Sequence, residues 1–379
     1  MTNKLFSLNS YLKRPAVRSV LQTIEKLGHL SRTQLSSVTG LSPASITNII
    51  DHLISLGFIQ EAGRGAAYLG RKPVYLETNP DAGYTVVLEL CSREVRFFLM
   101  DFCSNVRSHC TVPVAANELS SELLSSLVRS RVPASCLPSC FCVCIADSLE
   151  PGAKSPAEAF CGSLSLEFDL PVYCENSLNL TALAEALFHF SEDRSNVLYL
   201  EIGETVRVSL ITDGMVSPFL AGRLPEAGKI IETYDADGCP VTLDDMAGLR
   251  FIRRQVAKQY LSRAGEAPGI PNGDPLASFS YPAFFRLAQA GDPAVLAILR
   301  LYGRQLSRAI YNMACLYNPD AVVIGGVSPS AVDSILLASG GADLAPACGA
   351  KVYLAHYGEA SVARGGAKYS ISRLLSGEL

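Results

Sequence analysis

Residues 31–56, SRTQLSSVTGLSPASITNIIDHLISL, decide the fold of the amino-terminal part of the chain, because they mark the starts of two consecutive helices. Ser31 and Gln34 have the spacing of a capping box, in which each side chain satisfies a backbone N–H group at a helix start. Ser42 and Pro43 mark the second start, since serine accepts a backbone N–H at the N-cap and proline lacks only an N–H that needs no partner there. The stretch therefore predicts a helix-turn-helix.

The second of these helices has an apolar face and a face of small polar residues. Its apolar residues recur every three or four positions, which is the spacing of one buried stripe, and they are Ile46, Ile49, Ile50, Leu53 and Ile54. Small and amide side chains on the other face allow a helix to approach base edges in the major groove of DNA. The residues predicted to contact DNA are Ser42, Ala44, Ser45, Thr47, Asn48 and His52. The alternative is an ordinary three-helix core with a polar surface.

A glycine-rich segment between two extended runs predicts the wing of a winged helix. The runs are residues 58–61 and 74–77, and the segment between them reads AGRGAAYLGRKP. It carries three cations that we expect to contact DNA, which are Arg64, Arg71 and Lys72. Residues 1–80 hold nine Lys and Arg against four Asp and Glu, a net charge of +5, whereas residues 81–379 have a net charge of −9. The basic charge is therefore concentrated on the end predicted to bind DNA.

Length and hydropathy bound the class of protein. A chain of 379 residues is expected to form two or three domains. No stretch approaches the roughly 20 apolar residues that span a bilayer, and the start, MTNKLFSLNSYLKRP, lacks the apolar core of a signal peptide. We therefore expect a cytoplasmic protein with no membrane contact.

The twelve cysteines do not form a metal-binding pattern, since none belongs to a C-x-x-C pair. Cys140, Cys142 and Cys144 alternate along SCFCVCIAD, so on a strand they share one face. We predict that these three are small hydrophobic residues of a core, and that the chain holds no metal.

Beyond residue 80 the pattern becomes an alternation of strands and helices. The runs YTVVLELC and EVRFFLMDF read as a hairpin, followed by a helix, the strand CFCVCIA and the strand PVYCEN, which leads directly into another helix. A second hairpin, NVLYLEIG with VRVSLIT, begins a similar series. Two such units predict a duplicated α/β domain with a ligand cleft between its halves. The expected domains are 1–80, 81–190 and 191–379.

Several phrases of the sequence occur in the order and spacing found in one family. They are GRKPVYLETNPDAGY, ENSLNLTALAEALF, NVLYLEIG, LYNPDAVVIGG and GEASVARGGA, in addition to the winged helix. Over essentially its whole length the chain thereby resembles a transcriptional regulator of the ROK family, which groups sugar-responsive repressors with bacterial sugar kinases. The resemblance implies a two-lobed, actin-like (ribonuclease-H-like) fold. It also implies a cleft that holds ATP and a sugar in the kinases, and a sugar effector in many of the regulators.

The catalytic groups implied by the resemblance are missing. Glu89 and Cys91 stand at the first phosphate loop, D-x-G, whose carboxylate helps to hold the metal in the kinases. Ser177 replaces the aspartate of E-N-D-x-N, which takes the proton from the sugar hydroxyl, and a serine cannot be that base. The second phosphate loop is glycine-rich in the family but reads GETVR at residues 203–207, so side chains would collide with ATP. We predict no catalytic residue, no phosphate transfer and no cofactor.

The zinc site implied by the resemblance is also degenerate. In the family's E-x-G-H motif the glutamate contacts sugar hydroxyls and the histidine binds zinc, but here Glu226 and Gly228 are followed by Lys229. Of the run C-x-C-G-x-x-G-C, only Cys239 is present in the region. A separate family motif, the G-x-G-x-x-P-G-like turn, is replaced by residues 146–148. Lysine is charged at neutral pH and is a poor zinc ligand.

The resemblance places six residues at a ligand site. Glu175, Asn176, Asn179 and Glu226 fall on the family's sugar pocket and suit hydroxyl groups, whereas Lys229 and Arg207 stand at the positions of the zinc-bound histidine and the second phosphate loop. Our own hypothesis is that these two cations meet the negative charge of a sugar phosphate or sugar acid. Two alternatives remain open. Asn176 can serve as a helix cap, and the cations can be neutralised within the fold, Lys229 by Glu226 and Arg207 by Glu204.

These observations predict a DNA-binding transcriptional regulator, a repressor of carbohydrate-related genes with a catalytically inactive kinase-like sensor. We expect it to bind a two-fold symmetric DNA operator as a homodimer, with a tetramer as the alternative, and to respond to a sugar or sugar-phosphate effector. A ligand-independent dimeric regulator is the second hypothesis. An active sugar kinase with an appended DNA-binding domain is the third.

Overall fold

The computed structural model describes residues 11, 14–64, 74–115, 118–136, 138–145, 156–189, 196–217, 226–264, 279–327, 329–338, 349–356, 358 and 360–376. Contacts divide the chain into two compact units. The first consists of Met1–Thr181 together with Glu359–Leu379, and the second is Ala182–Gly358. Within the described ranges, no helix is both long enough and apolar enough to cross a membrane.

In the part of the first unit that the structure describes from residue 14 onward, three helices and a small antiparallel sheet come first and form the winged helix-turn-helix. The helices are α1 (Pro15–Leu27), α2 (Arg32–Thr39) and α3 (Pro43–Ser55). The strands are β1 (Leu30–Ser31), β2 (Ile59–Arg64) and β3 (Val74–Thr78), in the order β1-β3-β2. The helix-turn-helix predicted from the sequence is confirmed.

Local chemistry starts α2 and α3 where the sequence predicts. At α2, Ser31 Oγ accepts a hydrogen bond from Gln34 N at 3.3 Å, and Gln34 Oε1 accepts one from Ser31 N at 2.9 Å. Gly40 follows α2 with a φ of 71°, the left-handed conformation that favours glycine. At α3, Ser42 Oγ accepts from Ser45 N at 3.2 Å, and Pro43 is the first helical residue.

The remainder of the first unit is built on a five-stranded sheet. Its strands are β4 (Tyr84–Leu90), β5 (Glu94–Asp101), β6 (Val106–Pro113), β7 (Pro138–Ile145) and β8 (Val172–Asn176), in the order β6-β5-β4-β7-β8. β4, β5 and β6 are antiparallel, whereas β4, β7 and β8 are parallel. The helices described alongside this sheet are α4 (Ser121–Arg131), α5 (Pro156–Phe168), α6 (Ser177–Ala184) and α12 (Ala360–Ser376), and α6 runs across the boundary between the two units.

Both faces of this sheet are covered. Side chains of α4 and α5 pack on one face, and side chains of α6 and α12 pack on the other. Cys140, Cys142 and Cys144 on β7 have no exposed surface, which confirms the prediction that they are core residues. Burial raises the pKa of the Cys140 thiol to about 12, so the thiol is inert at neutral pH.

The winged helix-turn-helix shares its hydrophobic core with the rest of the first unit. The core of α1, α2 and α3 includes Phe102, which follows β5, and Ile371 and Leu375 of α12. Lys368 on α12 also pairs with Glu25 on α1 at 2.5 Å, with both side chains less than a fifth exposed. Residues far apart in sequence therefore complete one core.

The second unit repeats the sheet topology of the first. Its main strands are β9 (Asn196–Ile202), β10 (Val206–Thr212), β11 (Met215–Val216), β14 (Ala321–Gly325) and β15 (Lys351–Leu354), in the order β11-β10-β9-β14-β15. As in the first unit, three antiparallel strands come first and two parallel strands follow. The predicted duplication of the α/β unit is confirmed.

Helices and a separate hairpin complete the second unit. The hairpin is formed by β12 (Ile231–Tyr234) and β13 (Pro240–Thr242). The helices are α7 (Leu243–Ala247), α8 (Arg250–Ala264), α9 (Tyr281–Gln289), α10 (Pro293–Tyr317) and α11 (Pro329–Ala338). The long helix α10 supplies many of the core residues, among them the fully buried Tyr302 and Leu306.

Candidate functional site

The helix α3 divides into a buried face and an exposed face. Ile46, Ile49, Ile50 and Leu53 are buried in the core, and Ile54 is half-buried against it. The residues predicted to contact DNA on this helix are all exposed: Ala44, Ser45, Thr47, Asn48 and His52, together with the cap Ser42. The structure thus brings the predicted set together on one surface.

The exposed side chains of α3 differ in what they contact. Ser42 and Ser45 join their hydroxyl groups at 3.0 Å, and the Thr47 hydroxyl donates to the Pro43 carbonyl at 2.9 Å. In contrast, the Asn48 amide has no hydrogen-bond partner among the described residues. Asn48 can therefore offer both its donor and its acceptor to a ligand.

His52 is exposed, but its imidazole is in contact with a residue that precedes α1. The ring centroids of His52 and Tyr11 are 4.1 Å apart, and the Arg14 guanidinium lies 5.3 Å from the Tyr11 centroid. A second contact of α3 is an ion pair that the sequence did not indicate, between Arg32 Nη2 and Asp51 Oδ1 at 2.8 Å. Periodicity finds a helix face, but it does not identify a partner on another helix.

The wing predicted between β2 and β3 is described only at its base. β2 and β3 are antiparallel, with the backbone of Arg64 opposite Val74 and a shift of register between Glu61 and Gly63. Arg71 and Lys72 lie outside the described residues, and so does the Arg64 side chain.

The first group of predicted ligand residues lies where β8 meets α6. Glu175 Oε1 accepts hydrogen bonds from Asn176 N and from Asn179 Nδ2, both at 2.9 Å. Asn176 Oδ1 accepts from Leu178 N at 2.8 Å, which is the helix-capping role that the sequence left open. Glu175 and Asn179 are buried, with 4% and 0% of their surface exposed. The three residues are together, but they bind one another.

The residues at the other catalytic positions of the first unit are also buried. Glu89 is the penultimate residue of β4, the central strand of the sheet, and is 3% exposed, whereas Ser177 begins α6 and is 5% exposed. Burial raises the pKa of the Glu89 carboxyl, and the Arg96 guanidinium at 3.4 Å partly opposes this effect. Burial therefore makes the charged form of Glu89 less favourable in the fold than in water.

In the second unit, a carboxylate of the chain itself binds the turn at the second phosphate-loop position. Asp244, which is 8% exposed, accepts a hydrogen bond from Val206 N at 2.6 Å. The other oxygen of Asp244 pairs with Arg250 at 3.0 Å. A backbone N–H in such a turn is the donor that a nucleotide phosphate would require. The site therefore does not fit ATP, and the sequence alone did not identify Asp244.

Arg207 is paired, but with a different residue than expected. Arg207 Nη2 lies 2.5 Å from Glu201 Oε1, because the two residues are directly opposite on β10 and β9. The expectation that Glu204 neutralises Arg207 is therefore wrong. Glu204 lies in the turn, where its carboxylate accepts from the Tyr281 hydroxyl at 2.7 Å.

Lys229 pairs with Glu226, which is the alternative to anion binding that the sequence left open. Lys229 Nζ and Glu226 Oε1 are 2.6 Å apart, and both side chains are more than half exposed. Gly228 between them has a packing reason, since a Cβ there would lie 1.9 Å from Asp244 Oδ1. In the described part of the chain, no cluster of three His, Cys, Asp or Glu side chains could hold a metal ion. The residues at the family's zinc position do not fit zinc.

Together, these features define a protein with a winged helix-turn-helix and a duplicated α/β fold, in which the carboxylate of Asp244 binds the turn at residues 203–207. The model of the ROK family matches residues 151–356, which is more than half of the chain. The chain belongs to the ROK family.

Similar proteins include both regulators and solved structures. The xylose repressor of Caldicellulosiruptor bescii is 23% identical over 330 residues, which cover 81% of each chain. The DNA-binding transcriptional dual regulator NagC of Escherichia coli is 23% identical over 339 residues, which cover 84% of this chain and 82% of NagC. A crystal structure of a ROK family transcriptional regulator, described as a homolog of the E. coli MLC protein, superimposes with a TM-score of 0.74 at 22% identity. It covers 95% of this chain and 96% of its own.

Proposed function

We propose that this protein is a sequence-specific DNA-binding repressor of carbohydrate-related genes. The observation that carries the proposal is the exposed face of α3, on which Asn48 has an unengaged amide. Relatives named as xylose repressor and as NagC support the same function. The experiment is selection of binding sequences from a randomised duplex library, followed by anisotropy titration of the enriched site. A protein that enriches no sequence would contradict the proposal.

We infer that the chain does not phosphorylate sugars. Transfer of a phosphoryl group depends on positioning and charge stabilisation of the phosphate, and here Asp244 takes the N–H of Val206 while Ser177 replaces the base. A coupled assay for ADP over common hexoses, pentoses and amino sugars should give no turnover above buffer. Catalytic release of ADP with any of these sugars would contradict this inference and favour the active-kinase hypothesis.

Under the sensor hypothesis, the ligand is a sugar. The support is that one relative is named xylose repressor and another N-acetylglucosamine repressor. Glu175, Asn176, Asn179 and Glu226 would bind its hydroxyl groups, with Lys229 or Arg207 meeting an anionic group. A specific observation favours the ligand-independent alternative, since Glu175 already accepts two hydrogen bonds and both cations have ion-pair partners. A thermal-shift screen of sugars, sugar phosphates and sugar acids distinguishes the two.

For assembly, we propose a homodimer that works in the cytoplasm on a two-fold symmetric operator, with a tetramer as the alternative. The support is the general rule that helix-turn-helix dimers mirror the symmetry of their half-sites. Light scattering on the purified chain, with and without a duplex that carries two half-sites, measures the mass directly. A monomer bound to a single half-site would contradict this proposal.

A further inference from the structure

Asp51 is an acidic side chain on the surface of α3 that is proposed to face DNA. It follows Asn48 by three positions and Ala44 by seven, so the three residues lie along one face of the helix. Its side chain is 60% exposed. A negative charge at this position repels the phosphate backbone, and its presence therefore calls for an explanation in terms of what it contacts.

Arg32 fixes the position of the Asp51 carboxylate. Arg32 is the first residue of α2, and its Nη2 lies 2.8 Å from Asp51 Oδ1 across the two helices. A second guanidinium nitrogen is 3.5 Å from the Thr47 carbonyl oxygen. The Arg32 side chain is about a third exposed. Exposed ion pairs contribute little to stability because water screens them, so fastening α2 to α3 is a weak reason for this pair.

The other polar side chains of the same surface are engaged elsewhere. The hydroxyl groups of Ser42 and Ser45 bind each other, the Thr47 hydroxyl binds the helix backbone, and the His52 ring packs on Tyr11. Among the described residues, Asn48 has no hydrogen-bond partner, and the pair with Arg32 uses only Oδ1 of Asp51, so that Oδ2 is left to accept from a base. This set is smaller than the one that periodicity predicts, and one of its two members is charged.

The chemistry of a carboxylate restricts the bases that Asp51 can accept. An ionised carboxylate only accepts hydrogen bonds, and in the major groove the donors are the N4 amino group of cytosine and the N6 amino group of adenine. Guanine and thymine present acceptors, which a carboxylate repels, and adenine presents its N7 acceptor beside the N6 amino group, so cytosine is the base that a carboxylate fits best. We propose that Asp51 is a specificity-determining residue that selects cytosine at one position of each half-site, and that Arg32 is the positioning residue that holds its carboxylate. The proposal rests on the proposed function of DNA binding.

The experiment is sequence selection from a randomised duplex library with the full chain and with three variants. The unaltered protein should prefer cytosine over guanine or thymine by about tenfold at one position per half-site. Asp51→Asn should lose that preference or shift it toward adenine, since an amide both donates and accepts. Arg32→Ala should weaken it at the same position only. Asp333→Asn, which removes one exposed negative charge from α11, is the matched control and should change nothing.

A second measurement tests the hydrogen bond itself. The cytosine at the selected position is replaced by an analogue that lacks the 4-amino group, and anisotropy gives Kd. With the analogue, the Kd of the unaltered protein should rise by about tenfold, whereas the Kd of Asp51→Asn should not change. An unchanged base preference in Asp51→Asn, or equal loss in both proteins, would overturn the role of Asp51 while DNA binding stands. If the unaltered protein enriches no sequence, the proposed function itself fails.

Discussion

Asn48 is the single residue whose environment best suits it to read a base. Its amide is exposed and unengaged, whereas the hydroxyl groups beside it are bound within the helix. Asn48→Ala should therefore cost about 1–3 kcal/mol of binding free energy at one position of each half-site, because an amide can form two hydrogen bonds with adenine. Anisotropy titration on the enriched operator measures this loss. Ser55→Ala is the control, since the Ser55 hydroxyl binds the carbonyl of His52 on the same helix; an equal loss in both variants would contradict the assignment.

Restoring the missing base at Ser177 should not restore catalysis. Ser177→Asp returns a carboxylate to the position of the family's base, but Asp244 still accepts the N–H of Val206 that a phosphate would need. We expect no ADP release above the unaltered protein in a coupled assay, with a known hexokinase as the positive control. Measurable turnover in this one variant would show that the second phosphate loop is functional.

Glu89 should make stability depend on pH in a defined direction. The pKa of its carboxyl is raised in the fold by burial, so folding favours the protonated form. The contribution of this group to the free energy of unfolding is therefore full below the ordinary carboxyl pKa and is lost as pH rises through the raised value. Glu89→Gln should be more stable than the unaltered protein at pH 7, and the difference should shrink toward pH 4.

Denaturant unfolding at several pH values checks this dependence on Glu89. The exposed Glu61 provides the control, because Glu61→Gln should leave the curves unchanged. A variant Glu89→Gln that is less stable than the unaltered protein at pH 7 would show that the ion pair with Arg96 at 3.4 Å outweighs the cost of burial.

At the scale of elements, α12 is the helix with the widest set of contacts in the first unit. Ile371 and Leu375 lie in the core of the winged helix-turn-helix. At Gly365, a Cβ would lie 1.8 Å from the Leu180 carbonyl oxygen of α6, so glycine lets the two helices meet backbone to backbone. Arg373 lies over the rings of Tyr173 and Tyr369, at 5.9 and 5.5 Å. One helix therefore contacts both the winged helix-turn-helix and the elements β8 and α6, which carry Glu175, Asn176 and Asn179.

Truncation of one α12 side chain should destabilise the winged helix-turn-helix. Ile371→Ala should lower the free energy of unfolding by about 2–5 kcal/mol, because it leaves a cavity in a fully buried core. Leu166→Ala on α5 is the control, since Leu166 is 88% exposed. Denaturant unfolding measures the loss, and limited proteolysis should show earlier cleavage within the winged helix-turn-helix. Equal stability of the two variants would contradict the shared core.

Elements that depend on local chemistry could be predicted from the sequence, and contacts that depend on register or distance could not. Ser31 and Ser42 each bind a residue three positions away, so the starts of α2 and α3 could be predicted from the sequence. The partner of Arg207 is decided by the pairing of β10 with β9, which places Glu201 opposite it. Asp244 reaches Val206 across 38 positions, and no local pattern announces such a contact.

At the scale of the whole molecule, the two units share one strand order but differ in the contacts made at the positions that the family resemblance assigns to catalysis. The first unit buries its altered catalytic positions, Glu89 and Ser177. The second unit fills its phosphate loop with its own carboxylate, Asp244. The family resemblance identified these positions from the sequence, whereas the contacts made there belong to tertiary packing and appear only in the structure.

The residues 1–80 should not fold stably as a separate fragment. Without Phe102, Ile371 and Leu375 the core of α1, α2 and α3 would expose apolar surface to water, at roughly 25 cal/mol per Å². We expect the fragment to show no cooperative thermal transition by circular dichroism, whereas the full chain shows one. A fragment that melts cooperatively would contradict this expectation.

The shared core also sets the order of events during translation. The helix α3 is synthesised early, but Ile371 and Leu375 of its core are made about 300 residues later, which corresponds to roughly 15–60 s of elongation at ordinary rates. A nascent chain on the ribosome therefore lacks the complete core of the winged helix-turn-helix until nearly the whole chain has been made. For the repressor proposed above, we expect that an unfinished chain does not occupy an operator, because the two distant segments complete one core.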